Sequence, residues 1–309
     1  MIISVFIDGA AGTTGLEIRD RLASRDNIAL LTVEDARRKD AAARRAALND
    51  ADYVILCLPD DAAREAVALI DNDRTRVIDA SSAHRVAAGW TYGFAELEAD
   101  QTDRIAKAAR VTNPGCYPTG FLALVRPLVR AGLVPADWPL SVNAASGYSG
   151  GGKAMVAEFE QGGIDTAFRA YGLGLAHKHA PEMTIHAGLT HAPIFAPSVA
   201  RTYRGMLTEV PLHLHAMPGA PTLEAVTDVL REAYAGGRVV RVGDGGMTAI
   251  TIEADAGTDR MTLHVCGNAG TGQARLIATL DNLGKGAGGA AVQNLNIMAG
   301  LDPVAGLAL

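Results

Sequence analysis

The sequence predicts an α/β protein of two domains. A doubly wound, mainly parallel sheet comes first, and an α+β domain with a mixed or antiparallel sheet follows. Three observations lead there. Short apolar runs alternate with helical segments in the early part of the chain, which is the pattern of βα units. The first such unit carries a glycine-rich turn, Gly9-Ala10-Ala11-Gly12-Thr13-Thr14-Gly15, between its strand and its helix. Beyond residue 140 strand-like segments follow one another with few helical runs between them.

Composition sets the bounds. At 309 residues the chain can bury a large core and divide into two domains. Apolar residues make up 49% and charged residues 20%, as in ordinary globular proteins. A net charge of -6 argues against nucleic acid or an anionic membrane as partner. There is no apolar run of membrane-spanning length. The first strand begins at residue 2, with no basic leader or cleavage site before it. Three cysteines, Cys57, Cys116 and Cys266, are too few and too scattered for a disulfide framework or a zinc cluster, so no metal is expected. A reducing, cytoplasmic setting is the expectation.

The elements follow in order. Residues 2–7 form the first strand and residues 16–23 an amphipathic helix. With the glycine turn between them they make a Rossmann-type dinucleotide-binding unit. Gly9, Gly12 and Gly15, with Thr13 and Thr14, bring backbone N–H groups to a pyrophosphate at the helix N-terminus. The spacing is G-x-x-G-x-x-G, not the usual G-x-G-x-x-G. Residues 28–33 are the second strand. Glu34 and Asp35 behind it suit ribose hydroxyls, as in an NAD site. Arg37, Arg38 and Lys39 suit a 2′-phosphate, as in an NADP site, or form a solvated face of the helix at 41–48.

Residues 53–58 form a third strand, apolar enough to be buried on both faces, with Cys57 in the core. Pro59 ends it where a dinucleotide passes. A helix at 62–70 leads to a strand at 77–79. Ser81, Ser82 and Arg85 then sit at the carboxyl end of that strand, where open α/β sheets bind ligands. Arg85 either clamps a phosphate through its planar fork or is a surface loop arginine. A helical run and a strand at 108–111 complete the first domain.

Cys116 follows in Asn113-Pro114-Gly115-Cys116-Tyr117-Pro118-Thr119, a tight turn opening the helix that continues through 121–129. Pro118 suits a first helical turn. A thiol at a helix N-terminus meets the positive end of the dipole and unpaired N–H groups, which favour the nucleophilic thiolate.

In the second domain a strand at 141–145 enters Ser146-Gly147-Tyr148-Ser149-Gly150-Gly151-Gly152-Lys153, read as a substrate loop or a flexible linker. It is not a P-loop, because Ala154 follows Lys153. His177-Lys178-His179-Ala180-Pro181-Glu182 places two histidines on one side of an extended chain. They suit a general acid/base, with Glu182 to orient or tune it. Strands are expected at 190–199, 205–213, 239–242, 249–254 and 260–265. A helix is expected at 222–234, with its start signal at Thr222. Small residues along 284–298 form a closely packed helix.

Residues 113–119 resemble the active-site signature of the N-acetyl-gamma-glutamyl-phosphate reductase family, relatives of aspartate-semialdehyde dehydrogenase. The block at 177–182 resembles the family's His-Arg/Lys-His-x-Pro-Glu motif. Asp281-Asn282-Leu283-Gly284-Lys285-Gly286-Ala287, with Gln293-Asn294, resembles its C-terminal signature. The resemblance spans the whole chain, in the compact form of the enzyme. It implies an NADP(H)-binding domain of residues 1–115 and 284–309, and a catalytic and oligomerisation domain of residues 116–283. It further implies a Cys116 thioester formed from N-acetyl-glutamyl phosphate with loss of inorganic phosphate, and His179 as acid/base with His177 as its substrate-contacting neighbour. Arg85 and Asn113 would meet the phosphate, and Ser149 and Lys153 the remaining polar groups. Asn282, and with it Asn294, would meet the nicotinamide amide. Arg201 and Arg204 lie where the family has an Arg/Gly turn. Relatives form homo-oligomers, dimers or tetramers. The alternatives are aspartate-semialdehyde dehydrogenase and a catalytically silent NADP-binding regulator.

Overall fold

The computed structural model describes residues 2–37 and 40–309. The chain forms two compact units, one of Met1–Ala95, Asp100–Pro114 and Ala287–Leu307, the other of Glu96–Ala99, Gly115–Gly286 and Ala308–Leu309.

The first unit begins with β1 (Ile3–Asp8), α1 (Thr13–Leu22), β2 (Ile28–Leu31), α2 (Ala41–Asp50), β3 (Tyr53–Leu56) and α3 (Asp60–Leu69). It continues with β4 (Arg76–Asp79), β5 (Thr91–Tyr92), α4 (Gln101–Lys107) and β6 (Arg110–Thr112). The six strands are parallel throughout, in the order β2-β1-β3-β4-β6-β5. Val5 stands between Leu30 and Tyr53, and Ile78 between Ile55 and Val111. Side chains alternate across a strand, so a sheet covered on both faces needs apolar residues at every position. Ile3, Val5, Ile7, Ile55 and Ile78 pack with Ile18 and Leu22 of α1 and Ile105 of α4. Phe6, Val54, Leu56 and Val77 pack with Leu48 of α2 and Ala63 and Ala66 of α3. That double cover explains the continuous apolar runs in the sequence. α2 starts on a side-chain cap, with the Ala43 N–H donating to Asp40 Oδ1 at 2.7 Å.

The second unit contains α5 (Cys116–Arg130), β7 (Ser141–Gly147), α6 (Gly152–Glu160), β8 (Phe168–Ala170), α7 (Ala180–Ala187), β9 (Ile194–Ala200) and β10 (Met206–His213). Then come α8 (Leu223–Ala233), β11 (Val240–Val242), β12 (Met261–Asn268) and β13 (Gln273–Leu280). Its seven-stranded sheet, ordered β11-β12-β13-β10-β7-β9-β8, is mixed. The β12, β13, β10 and β7 run is antiparallel, while β7 and β9 are parallel. α8 is capped by Thr222, whose hydroxyl accepts the Ala225 N–H at 3.1 Å. The hydroxyl of Tyr234, just past α8, donates to the carbonyl of Ala123 in α5 at 2.9 Å. The chain then returns to the first unit through a turn of wider helix at Gly284–Gly288 and α9 (Gly289–Met298). Ala291, Val292, Leu295, Ile297 and Met298 of α9 join the core beside β1 and α1.

One expected strand is absent. Residues 249–254 turn instead, and the turns continue through 258, with Ala254 bonded to Thr251, Ala256 to Glu253 and Thr258 to Asp255. The buried carboxylate of Asp255 accepts the hydroxyls of Thr262 and Thr279, which folds this segment onto β12 and β13. No helix among the described residues is long and apolar enough to cross a membrane.

Candidate active site

Cys116 is the first residue of α5 and Gly115 is its N-cap, with no side-chain cap. Pro118 has no N–H to offer, and the N–H and hydroxyl of Thr119 both donate to the Gly115 carbonyl at 2.9 Å. The amides of Cys116 and Tyr117 stand at the start of the helix, ahead of its first internal bond. The thiol therefore sits among partial positive charge. It is half-buried and not in a disulfide. Gly286 packs directly against it: a Cβ there would lie 3.0 Å from the Cys116 Cβ and 2.9 Å from the Asp281 carbonyl.

The histidine block comes to the same helix end. His179 is buried and is the N-cap of α7, and Pro181 falls in that helix's first turn. The chain turns here and is not extended, yet the rings of His177 and His179 lie 4.8 Å apart, centroid to centroid. The Tyr117 ring is 5.9 Å from His179 and 6.5 Å from His177. Nδ1 of His177 accepts the His179 N–H at 3.2 Å, which puts the proton of a neutral His177 ring on Nε2. Glu182, expected to orient or tune the histidine, also reaches the cysteine turn. Its Oε1 accepts the Gly115 N–H at 2.8 Å, so the carboxylate grips the residue before the thiol. Tyr117 donates to the Ser198 carbonyl at 2.9 Å and accepts from Tyr171 at 3.2 Å. Burial first, and then Tyr171 and Cys116, push the Tyr117 phenol well up. Burial pushes Tyr171 up to about 12. Both stay neutral donors near neutral pH.

Ser149 and Asn282 lock the neighbouring loops. Asn282 is buried, its Oδ1 accepting the Gly205 N–H at 3.0 Å and its Nδ2 donating to Ser149 Oγ at 2.8 Å. Ser149 in turn donates to the Tyr203 carbonyl. So both ends of the amide expected against nicotinamide are engaged inside this unit. Asp281 accepts the N–H groups of Leu283 and Gly284, and Arg204 lies 3.7 Å from it. Lys285, also buried, pairs with Glu96 at 2.6 Å. Lys153 is exposed on α6, and Arg201 is paired with Asp165 at 2.8 Å.

In the first unit the glycine turn has the form a dinucleotide needs. Gly9 has φ +91°, a backbone that favours glycine, and a Cβ there would overlap the Cys57 carbonyl. A Cβ at Gly15 would overlap the Gly9 carbonyl. α1 begins after Gly12 with no side-chain cap and no acid in its first turn, which leaves the amides at Thr13, Thr14 and Gly15 for an anion. The turn fits a pyrophosphate on these grounds. Pro59 is the exposed N-cap of α3. Arg37 is 62% exposed and lies 3.6 Å from Asp40, while Arg38 is outside the described residues.

Arg85 is buried rather than a surface arginine. Its Nε donates to the Asn113 carbonyl at 3.2 Å and its Nη2 to the Ala80 carbonyl at 3.0 Å. Asn113 donates to the Ala287 carbonyl at 3.0 Å and accepts from Asn294 at 3.1 Å. Asn294 also donates to the Gly93 carbonyl at 2.9 Å. Arg85, Asn113 and Asn294 thus form one network that fixes the turn leading to the cysteine. The sequence carries no local signal for this network, nor for the Gly286 contact, because the partners are distant in the chain.

Residues 29–105 match the family model of the semialdehyde dehydrogenase NAD binding domain, and residues 116–282 match that of its dimerisation domain. The chain belongs to the semialdehyde dehydrogenase family of oxidoreductases, with a nicotinamide-dinucleotide-binding domain followed by a mixed-sheet domain. Solved structures share the fold. Aspartate semialdehyde dehydrogenase II of Vibrio cholerae is 17% identical with a TM-score of 0.70, over 97% of this chain and 99% of that one. The Francisella tularensis enzyme is 14% identical with a TM-score of 0.74, over 96% of this chain and 100% of that one. Curated relatives narrow the family. The proteins of Brucella anthropi and Brucella ovis named N-acetyl-gamma-glutamyl-phosphate reductase are 51% identical over 305 residues, 96% of this chain and 98% of theirs. Within the wider family, the chain belongs with these reductases.

Proposed function

We propose that the chain reduces N-acetyl-L-glutamyl 5-phosphate to N-acetyl-L-glutamate 5-semialdehyde, with NADPH as reductant, in arginine biosynthesis. The observation that carries this reading is Cys116 at the open N-terminus of α5, with Gly115 held by Glu182 and the rings of His177 and His179 beside Tyr117. The relatives' name supplies the substrate.

The Cys116 thiolate attacks the acyl carbon. The carbon–oxygen bond to phosphate breaks, inorganic phosphate leaves, and a thioester remains on Cys116. The amides of Cys116 and Tyr117 suit the oxyanion that forms at each addition. When bound, reduced nicotinamide supplies the hydride. His179 protonates the carbonyl oxygen as the thiohemiacetal forms. It takes that proton back as the carbon–sulfur bond breaks and the semialdehyde leaves. Glu182 positions the cysteine turn. Arg85 and Asn113 fix the same turn from the preceding segment, and their expected phosphate contact is a further part of this proposal. Ser149, Lys153 and His177 are proposed for the substrate's remaining polar groups. Asn282 positions the loops at Ser149 and Gly205, and its contact to nicotinamide is likewise proposed.

The glycine turn with Thr13 and Thr14 holds the dinucleotide in the unit of residues 1–115 and 284–309, and residues 116–283 carry catalysis and assembly. A homo-oligomer, dimer or tetramer, in the cytoplasm completes the reading, supported by the match to a dimerisation domain. The test is phosphate-dependent NADP reduction with N-acetyl-glutamate semialdehyde, run beside aspartate semialdehyde. Turnover of the first alone is expected. Turnover of the second alone overturns the substrate. Turnover of neither, with NADP still bound, overturns the enzyme.

A further inference from the structure

A charge pair at the glycine turn has no part in the chemistry at Cys116. Asp8 closes β1 and immediately precedes Gly9. Arg44, in the first turn of α2, lays its guanidinium on that carboxylate, with Nε at 3.2 Å and Nη2 at 2.8 Å from Oδ2. The two side chains are only 14% and 9% exposed. Among the described residues Nη1 makes no hydrogen bond. The next residue, Arg45, is 55% exposed and paired with Asp71.

A carboxylate beside a turn built for phosphates repels them unless it is neutralised. Arg44 neutralises it. Asp8 in return holds the guanidinium in one orientation, and most of the five N–H donors of that planar fork remain available. A fork held this way matches a phosphate better than a mobile surface cation does. Its place in the fold selects which phosphate. The pyrophosphate belongs to the amides that open α1. The adenosine ribose of a dinucleotide meets the end of the second strand, where an arginine accommodates a 2′-phosphate. β2 ends at Leu31, paired with Phe6 of β1, and α2 is the helix that follows it.

We propose that Arg44, oriented by Asp8, reads the 2′-phosphate of the dinucleotide and so sets the preference for NADP over NAD. This rests on the NADP-dependent reading above. The probes are adenosine 2′,5′-bisphosphate and AMP, which differ only in that phosphate, titrated by calorimetry against the whole protein. The wild type is expected to bind the bisphosphate more tightly. Equal binding of the two by the wild type overturns the NADP reading itself. Arg44→Met is expected to weaken the bisphosphate about tenfold or more and AMP less than twofold. Arg45→Met is expected to change neither. Equal loss of both probes in Arg44→Met means that Arg44 only staples α2 to β1, and overturns the proposal. The double variant Asp8→Asn/Arg44→Met strands no carboxylate and guards against misfolding. Continued weak binding of the bisphosphate is expected from it. Recovery to the wild-type affinity means Arg44 serves only to cancel Asp8, which also overturns the proposal.

Discussion

Two helices in this chain open in the same way and are put to opposite uses. α1 follows Gly12 and α5 follows Gly115, each glycine extended, each helix without a side-chain cap. In α1 the first turn is Thr13-Thr14-Gly15, so its N–H groups are all present, and nothing reactive stands among them. In α5 the first turn is Cys116-Tyr117-Pro118, so one N–H is missing and a thiol stands at the opening. On the proposed reading, the same dipole and the same kind of helix-end amides receive a charge that arrives with a ligand in the first case. In the second they favour a charge made on the protein's own sulfur. Contrast α2 and α8, where Asp40 and Thr222 close the helix end with a side chain. Other helices also start without a side-chain cap, so what sets α1 and α5 apart is the glycine turn at one end and the thiol at the other.

Substitutions at each end test that contrast. Cys116→Ser should lower turnover by about 10⁴-fold or more and leave NADPH titration unchanged. It should also remove the fast-labelling thiol that iodoacetamide finds at pH 7–8. Cys57 cannot replace it, because burial first, and then Asp79 and Asp8, push that thiol up to about 12, so it stays protonated throughout that range. Unchanged labelling in Cys116→Ser would mean that the α5 opening does not activate its thiol. His179→Asn should lower kcat by about 10²–10⁴-fold, with little change in the rate of Cys116 labelling.

At the other end, Gly15→Ala should weaken dinucleotide binding roughly tenfold to a hundredfold, read by fluorescence titration, while Cys116 labelling stays normal. Glu182→Gln keeps the shape of the Gly115 bond and removes its charge, worth about 1 kcal/mol, so kcat should fall about fivefold to tenfold. The smallest effect belongs to a closed end. Thr222→Ala should cost about 1 kcal/mol, a Tm lower by roughly 2–4 °C in calorimetry, with kcat unchanged.

Both open ends are legible in the amino-acid sequence, because each is a local pattern: a strand, a glycine and a helix signal in adjacent residues. The parallel sheet is legible for the same reason, as its strands are buried on both faces and read as unbroken apolar runs. The segment at 249–254 misleads, since its apolar and β-branched residues suit a strand, and only Asp255 reaching Thr262 and Thr279 turns it. α6 and α7 are hidden behind a triple glycine and a histidine block. The partners of Glu182, Asn282 and Arg85 are out of reach of any local pattern. Asn282 meets Ser149 across 133 residues, and Glu182 meets Gly115 across 67. Local patterning supplies reactive groups, whereas long-range pairing decides which polar side chains touch a ligand and which hold a turn.

α9 has a consequence for how the protein is made. It lies far along the chain from β1, yet its apolar side chains lie in the same core as Ile3, Val5 and Ile7. A ribosome releases those first strands long before their last covering helix is synthesised. Throughout elongation the nascent nucleotide unit carries a bare apolar face, which is the species most prone to aggregate or to recruit chaperones. Its closure waits until residues 289–298 have emerged from the ribosome.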